Sequence, residues 1–326
     1  MADRNKSQND TPEKPGRRRF LKNTLAASAA GAAGLSLEER ALLAGTGGQA
    51  AKSSTGTAGL PTGQLGDLEI SRVICGGNLI SGFAHDRDLL YVSSLLKHYF
   101  TDEKVLETLQ VCQQNGINAS VLRLDQHTLR LIRKYREAGI EIQWIAQVKL
   151  GEKHVTDQAK TAIDHGAAAV YVHGGVGDRL VEEERLDVLA EVVHFIKKQG
   201  VPAGVGGHKI DVPIACEGAG LDVDFYMKTL HRSDYWSFTE EREHDNVWSA
   251  TPEKTIEFMK NVDKPWIAYK VLAAGAVHPR QGFRYAFENG ADFLCVGMFD
   301  FQVREDANIA RRLLSSDLKR QRPWRA

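Results

Sequence analysis

Short apolar segments alternate with amphipathic segments along most of the chain. Eight segments are nearly continuously apolar and rich in β-branched or aromatic residues, which is typical of parallel strands buried on both faces. They span 69–77, 118–123, 141–149, 168–173, 201–207, 222–229, 265–272 and 291–299. Strand and helix repeated eight times predict parallel pairing with right-handed crossovers. Such a unit closes as a (β/α)8 TIM barrel, a parallel closed sheet of the α/β class.

The segments between these strands carry helical periodicity and stop at glycine before the next strand begins. Helices are predicted at 101–115, 126–138, 186–199 and 278–289, and Thr251-Pro252-Glu253 forms a good helix start. The connection at 209–219 contains Pro213 and is the weakest of the predicted helices. A doubly wound open sheet is the alternative fold. It is disfavoured because only Gly76-Gly77, and no Gly-x-Gly-x-x-Gly, follows the first strand.

The composition divides the chain into three parts. Residues 1–58 contain an N-terminal signal and a Gly/Ser/Thr/Ala-rich linker, residues 59–316 form the predicted barrel, and residues 317–326 form a basic tail expected on the surface. The total of 42 basic and 42 acidic residues gives a net charge of zero. Nothing in this balance points to a nucleic-acid or acidic-membrane partner. No segment after the signal is expected to anchor the chain across a membrane.

A basic cluster precedes a short apolar run near the N-terminus. Arg17-Arg18-Arg19-Phe20-Leu21-Lys22 resembles the twin-arginine export signal, whose pattern is two arginines, any residue, Phe, Leu and Lys. The Ala- and Gly-rich run that follows it is too short to span a bilayer, and such signals are addresses read by a receptor. The motif predicts recognition by the twin-arginine (Tat) export machinery and a periplasmic or otherwise exported location.

The four cysteines do not have the spacing of metal ligands. Cys75 and Cys295 lie on the predicted first and last strands, which are neighbours in a closed barrel. Two outcomes are open for this pair: a disulfide in an oxidising compartment, or buried free thiols, which are favoured for a protein folded in the cytoplasm.

Two connections at the carboxyl ends of the strands are unusually long. They run from Asn78 to Phe100 and from Leu230 to Ala250, and both are rich in aromatic and histidine residues. Loops of this length in a compact domain are typically functional. We interpret them as lids over the barrel, with Trp236 and Trp248 in the second.

A polar residue lies at or near the carboxyl end of each predicted strand, with Arg123 at the end of the second, and such barrels build their active sites at this edge. Candidate catalytic residues at or just beyond the strand ends are Lys149, His173, His208, Lys228 and His231. Candidate cofactor-binding residues are Gly76, Gly77, Asn78, Lys270 and Gly297. Lys270 also has the alternative of forming an imine with a carbonyl substrate.

Several segments resemble the aldo-keto reductases. The opening 65–77, the second-strand entry Gly116-Ile117-Asn118, Val148-Lys149 and 170–173 are similar to the corresponding segments of that family. The resemblance implies a (β/α)8 fold, an NADP cofactor and an Asp, Tyr, Lys, His tetrad. It gives the lysine role to Lys149 and the histidine role to His173.

The tetrad is incomplete in this sequence. Val121 stands where the family has its aspartate, and the tyrosine acid is missing; Tyr99, His98 and His85 are candidate replacements. Asp300 follows the last strand, where the family binds the 2′-phosphate, and its carboxylate would repel that group. The resemblance therefore implies NAD(P) but leaves NAD, or no nicotinamide, open. The predicted function is an exported oxidoreductase acting on a sugar, polyol or small carbonyl compound.

Two alternatives use the same residues. His173, His208 and His231 are candidate ligands of a divalent metal, which predicts a sugar isomerase, epimerase or lyase. A catalytically degenerate barrel that binds sugars through Trp236 and Trp248 is the third interpretation.

Changing Arg17 and Arg18 to Lys tests the export prediction. Fractionation should then find the protein retained in the cytoplasm, because the receptor reads the arginine pair. Arg19→Lys is the matched control, since that position of the motif accepts any residue. An unchanged distribution of the double variant would contradict the interpretation of this segment as an export signal.

Overall fold

A closed barrel of eight parallel strands forms the centre of the molecule. A computed structural model describes residues 59–83, 89–151, 153–235, 237–238, 249 and 251–326. The barrel strands are β3 (Val73–Gly76), β4 (Ala119–Arg123), β5 (Gln143–Val148), β6 (Ala169–Val172), β7 (Ala203–Gly207), β8 (Phe225–Thr229), β9 (Trp266–Tyr269) and β10 (Phe293–Val296). They pair in chain order, and β10 closes against β3. The predicted α/β barrel is confirmed.

Helices surround this barrel. Within the described residues they are α1 (Tyr91–Tyr99), α2 (Asp102–Gln114), α3 (Gln126–Glu137), α4 (Asp157–Asp164), α5 (Gly174–Glu182), α6 (Leu186–Lys198), α7 (Asp211–Gly218), α8 (Pro252–Met259), α9 (Pro279–Glu288) and α10 (Asp300–Leu314). The predicted helices are all present, including the weak one at 209–219, which is α7. Helix α1 lies inside the first long connection, which the sequence analysis treated wholly as a loop.

An antiparallel hairpin precedes the barrel. It consists of β1 (Thr62–Leu65) and β2 (Leu68–Ser71), whereas the sequence predicted one strand over 69–77. The turn between the two strands places Gly66 at φ +60°, a conformation that glycine adopts without strain. Leu65 and Ile70 are fully buried against the barrel interior. The prediction of a single strand was wrong because Arg72 alone separates the two apolar segments, so their pattern in the sequence resembles that of one strand.

Side-chain alternation decides which residues enter the barrel. One interior cluster contains Val121, Ile145, Tyr171 and Met227. The alternate residues of the same strands pack against the helices. The inward-facing series of each strand continues past its last residue to the opening at the carboxyl ends of the strands. We call this opening the barrel mouth. The alternation therefore predicts which strand-end residues face the site.

The cysteines follow the same rule. All four are free thiols. Val296 pairs with Cys75 across β10 and β3, so Cys295 stands one residue out of register with Cys75. Cys75 packs with the outer cluster, while Cys295 lies against the interior one. Cys75 and Cys295 therefore lie on opposite faces of the sheet. This explains why they do not form the disulfide that the sequence left open.

The basic tail packs against the barrel instead of lying wholly on the surface. Arg322 is 1% exposed and makes a 2.5 Å ion pair with the fully buried Asp292. The same guanidinium donates to the carbonyl oxygens of Gly290, Val262 and Lys264. The surface prediction for this segment was wrong because it weighed charge alone. Four hydrogen bonds from Nη1 and Nη2 of Arg322 offset the cost of burying its charge, and within the described residues only its Nε lacks a partner.

No described helix combines the length and the apolar character that crossing a bilayer requires.

Arg322→Met should lower the free energy of unfolding by about 3–5 kcal/mol, because it removes the nearest cation from the buried Asp292 carboxylate and leaves only the longer 3.6 Å pair with Arg320. Urea denaturation followed by circular dichroism measures this loss. Adding Asp292→Asn should restore part of the stability, since the buried carboxylate charge is then gone.

The matched control is Asp263→Asn, which removes a pair between Arg325 and a carboxylate that is 82% exposed. That change should cost less than about 1 kcal/mol. Equal losses for Arg322→Met and Asp263→Asn would contradict a structural role for the buried pair.

Candidate active site

Four polar side chains stand side by side at the barrel mouth. Arg123 ends β4, and Lys149, His173 and His208 directly follow β5, β6 and β7. These four strands are neighbours in the closed sheet. The structure therefore brings three of the five predicted catalytic residues into one arc, together with Arg123, which the sequence analysis placed at the end of the second barrel strand without a role.

His173 is held in a defined protonation state by the helix it begins. Its Nδ1 accepts a hydrogen bond of 3.1 Å from the backbone N–H of Gly175, in the first turn of α5. A ring nitrogen that accepts a hydrogen bond carries a lone pair, so the proton of the neutral imidazole resides on Nε2. His173 thus offers a donor through its second nitrogen.

His208 has the opposite arrangement. Its Nδ1 lies 2.7 Å from Oδ2 of Asp178, which is part of α5. Asp178 also accepts the backbone N–H groups of His208 and Lys209, both at 2.9 Å. Burial raises the pKa of Asp178, but these hydrogen bonds outweigh it and leave the pKa below its ordinary value. The carboxylate therefore stays ionised, holds the proton on Nδ1 of His208 and leaves the lone pair on Nε2.

Glycines make this contact between α5 and β7. A Cβ atom at Gly177 would collide with the carbonyl oxygen of Gly206, and one at Gly206 would lie 2.7 Å from the carbonyl oxygen of Val172. Both distances are shorter than packed atoms allow, so only glycine permits the approach. Asp178 was missed by the sequence analysis because it lies on a helix. The signal was the glycine cluster on both segments, Gly174-Gly175-Val176-Gly177 and 204–207.

Cations surround the two imidazoles. The ring centroids of His173 and His208 are 6.4 Å apart. Burial lowers the pKa of His173 to about 4, with further lowering by His208, Lys149, Lys270 and Arg123. Burial also lowers the pKa of His208, although the hydrogen bond to Asp178 opposes this. Both rings are therefore neutral at pH 7.

Lys270 approaches the same mouth from β9. It directly follows Tyr269, whose ring centroid lies 5.6 Å from that of His208. Lys270 has φ +60°, and Ala273 and Ala274 are also in the left-handed region. Such backbone conformations in residues other than glycine are unfavourable and cluster at functional sites. Burial lowers the pKa of the Lys270 ammonium well below its ordinary value.

Lys228 supports the site from the outer side of the barrel. It is 2% exposed, and its Nζ donates to the carbonyl oxygens of His208 and Thr229, at 2.7 and 3.0 Å. Alternation places it on the helix-facing side, between the inward Met227 and Thr229. The structure thus gives Lys228 a part in holding the backbone of His208, one step removed from the mouth.

His231 is fully buried and anchors the second long connection. Its Nδ1 donates to the carbonyl oxygen of Arg232 at 2.9 Å, and its Nε2 accepts the backbone N–H of Ser249 at 3.0 Å. Both ring nitrogens are used in these bonds. The predicted catalytic and metal-binding roles of His231 are not supported by this arrangement, because neither nitrogen keeps a lone pair for a substrate or a metal.

The metal interpretation joined His173, His208 and His231. Within the described part of the chain, no group of three or more His, Cys, Asp or Glu side chains is arranged to hold a metal ion. Of the three histidines, His173 and His208 meet at the mouth, and the Nδ1 of each takes part in a hydrogen bond.

Glycines proposed to bind a cofactor serve mainly in packing. A Cβ on Gly76 would lie 2.9 Å from the backbone nitrogen of Gly297, and one on Gly77 would lie 2.5 Å from the carbonyl oxygen of Val121. Asn78 and Gly297, by contrast, are exposed at the ends of β3 and β10. The exposed backbone of Gly297 is open to a ligand at the mouth.

Tyr99 is engaged away from the two imidazoles. Its hydroxyl donates to Asp300 at 2.5 Å, and burial together with this bond raises its pKa to about 12. Asp300 also accepts from Lys104 at 3.3 Å. A proton held by a carboxylate is poorly placed for donation to a substrate. The suggested replacement of the missing acid by Tyr99 is therefore not supported, and His98 is an exposed residue of α1.

The start of α10 does not fit a 2′-phosphate. Asp300 occupies its first turn, and the rings of Phe299 and Phe301 stack there at a centroid distance of 5.3 Å. A carboxylate and aromatic rings lack the donors and the positive charge that bind phosphate. His85, Trp236 and Trp248, to which the sequence analysis assigned functional roles, lie outside the described residues.

Comparisons with known proteins agree with this architecture. No protein-family model matches the chain, and no curated protein matches it. It is similar to the structure of a putative aldo-keto reductase from Pseudomonas aeruginosa, with 18% identity, a TM-score of 0.53 and coverage of 78% of this chain and 95% of that one. It is also similar to the holo form of aldo-keto reductase AKR11C1 from Bacillus halodurans, with 12% identity, a TM-score of 0.50 and coverage of 80% and 100%. At these identities the likeness shows the fold.

The lowered pKa of His173 makes a prediction for stability. Its value falls from 6.5 to about 4 on folding, so the unfolded chain binds the proton more readily between these values. The contribution of His173 to the free energy of unfolding should be fully present above pH 6.5 and be lost as the pH falls towards 4. Urea denaturation at pH 7.5 and pH 5 measures the change.

His173→Asn keeps an acceptor at the start of α5, because asparagine caps helices well, but it removes the titratable ring. This variant should lose less stability on acidification than the parent. His165→Asn, at an exposed histidine, is the control and should keep the parent's pH dependence. Identical acid sensitivity in parent and His173→Asn would contradict the assignment.

Proposed function

We propose that this chain is an oxidoreductase that interconverts a hydroxyl and a carbonyl group on a small compound at the barrel mouth. The observation that carries the proposal is the complementary pair of neutral imidazoles. His173 offers a proton on Nε2, and His208 offers a lone pair on Nε2. A hydroxyl group of the substrate can use both nitrogens, because its oxygen accepts the hydrogen bond from His173 while its own proton is donated to His208.

Proton transfer belongs to His208 in this proposal. When a hydroxyl is oxidised, its proton passes to Nε2 of His208, and the ionised Asp178 stabilises the imidazolium that results. In the reverse direction the same imidazolium returns the proton to the oxygen. The 17% exposure of the His208 side chain limits competition from water.

Charge on the substrate oxygen is stabilised by neighbours of His208. The Nε2–H of His173 donates to the oxygen. The exposed Lys149 ammonium follows β5, next to the strand that ends at His173, and adds positive charge nearby without contacting the oxygen. Donors of this kind stabilise charge that develops during the reaction more strongly in a partly desolvated site than in water. The Lys149 and His173 assignments follow those that the aldo-keto reductase resemblance gives to the third and fourth barrel strands.

The redox partner is an NAD-type dinucleotide in this proposal. When bound, it would accept or supply the hydride. Gly297 and Asn78 are exposed residues directly after β10 and near the end of β3, and the ring of Tyr269 lies beside that of His208. Asp300 disfavours the 2′-phosphate of NADP, because like charges at the start of α10 repel.

The substrate is a sugar, polyol or small carbonyl compound met outside the cytoplasm. The twin-arginine motif at 17–22 supports export through the Tat machinery, which carries folded proteins. A cofactor loaded before export would reach a compartment where free nicotinamide is scarce. These finer statements rest on the sequence motif and on the resemblance.

A titration of the purified chain with NADH and NADPH tests the redox part. Quenching of protein fluorescence should show NADH binding at least about tenfold more tightly than NADPH. Turnover of polyols with NAD, followed at the absorbance of NADH, should accompany it. Absence of binding by both dinucleotides, in protein from the cytoplasm and from the exported fraction, would overturn the oxidoreductase proposal.

A second candidate is an isomerase that works without a dinucleotide. The Asp178–His208 pair favours it, because a histidine held by a carboxylate is also suited to removing a proton from carbon next to a carbonyl. Incubating the protein with ketoses and aldoses in D2O distinguishes the two. Deuterium incorporation next to the carbonyl without added dinucleotide supports the isomerase.

His208→Asn and Asp178→Asn should each lower kcat/KM by about 10²–10⁴-fold, the scale of losing a positioned acid–base group. Lys209→Met is the matched control. Its backbone N–H still bonds Asp178, and its side chain pairs with Glu182 outside the mouth. Activity of the Lys209→Met variant should remain within about twofold of the parent. Full activity of His208→Asn would contradict the assigned proton transfer.

A further inference from the structure

Positive charge is concentrated on one side of the barrel mouth. Arg123 and Lys149 stand on the neighbouring strand ends of β4 and β5, next to His173 and His208 on β6 and β7. Lys270 faces the same opening from β9. The proposed chemistry uses Lys149 and the two histidines, and it leaves the guanidinium of Arg123 without a task.

The Arg123 side chain is held in place without being buried. Its Nε lies 3.1 Å from Oδ2 of Asp125, and its Cζ lies 4.9 Å from the ring centroid of Phe83. Both partners of the ion pair are 34% exposed. An aromatic ring and one carboxylate oxygen orient the guanidinium, whose planar fork retains further donors for a second anion.

The described acidic residues near these cations have several partners each. Asp125 pairs with Arg123 and also caps α3 by accepting the backbone N–H of Thr128 at 2.8 Å. Asp178 accepts the backbone N–H groups of His208 and Lys209 and the ring N–H of His208. Among the described residues, no carboxylate lies within ion-pairing distance of the Lys149 ammonium. Within the described residues, the two cations at the ends of β4 and β5 therefore have one carboxylate between them, Asp125, which pairs with Arg123.

From this arrangement we infer that Arg123 and Lys149 bind an anionic group of the substrate, a carboxylate or a phosphate. The substrate class is then an anionic hydroxy or oxo compound, such as a sugar acid or a sugar phosphate. Its anionic end lies at β4 and β5, and its reacting oxygen lies between His173 and His208. The placement of the reacting oxygen rests on the proposed function, whereas the anion site does not.

The pKa of His173 can report whether an anion is bound at this site. Burial is the main cause that lowers the pKa of His173 to about 4, and the same cations that attract an anion lower it further. An anion bound beside them offsets their charge, so it should raise the pKa of His173 by about one pH unit. His208, Lys149, Lys270 and Arg123 are the titratable or charged groups that act on this ring.

Titration with inorganic phosphate and with acetate, followed by NMR of the histidine rings, tests the inference. Each probe should bind saturably and raise the pKa of His173. Arg123→Gln should weaken binding about tenfold, and Arg123→Lys should weaken it less, because it keeps the charge but loses the fork. Arg133→Gln, at an exposed arginine of α3, should leave binding unchanged.

Failure of both probes to bind, or equal binding by parent and Arg123→Gln, would overturn the anion site. That result together with turnover of neutral polyols would reject the inference and retain the proposed function. Anion binding without turnover of any hydroxy or oxo compound would retain the anion site and reject the proposed function.

Discussion

The contact between α5 and the end of β7 determines what the barrel mouth can do. Asp178 reaches His208 only because glycines on both segments remove the side chains that would keep them apart. Once there, the carboxylate binds two backbone amides and one imidazole nitrogen, which fixes both the strand end and the tautomer. A change that separated α5 from β7 would remove the contact that fixes the proton on Nδ1 of His208.

The neutral histidines and the cations beside them are two aspects of one electrostatic arrangement. Burial, and to a smaller extent the neighbouring cations, lower the pKa of His173 and keep it a hydrogen-bond donor of fixed tautomer instead of an imidazolium. An incoming anion would raise the same pKa, so substrate charge and the protonation of the site are linked. In such a site, the identity of the substrate's charged group influences the chemistry at an oxygen several ångströms away.

Much of the fold and part of the site follow from sequence because strand periodicity carries both kinds of information. The runs that predicted the strands also located Lys149, His173 and His208 at their carboxyl ends. Lys228 and His231 have the same residue types at nearly the same positions, yet one lies on the outer face and the other secures a loop. Asp178 is on a helix, and its role depends on a helix–strand distance that periodicity does not encode.

The departures from the aldo-keto reductase pattern are consistent with one another. Val121 is an interior residue of the barrel and lacks a titratable group, so the second barrel strand contributes the cation Arg123 to the mouth and no acid. In the proposed function the acid–base pair is instead His208, directly after the fifth barrel strand, with Asp178 on α5. Tyr99, which would restore a phenol near the mouth, is bonded to Asp300. In the proposed enzyme, proton transfer has moved from the second to the fifth strand, and the vacated side is suited to binding an anion.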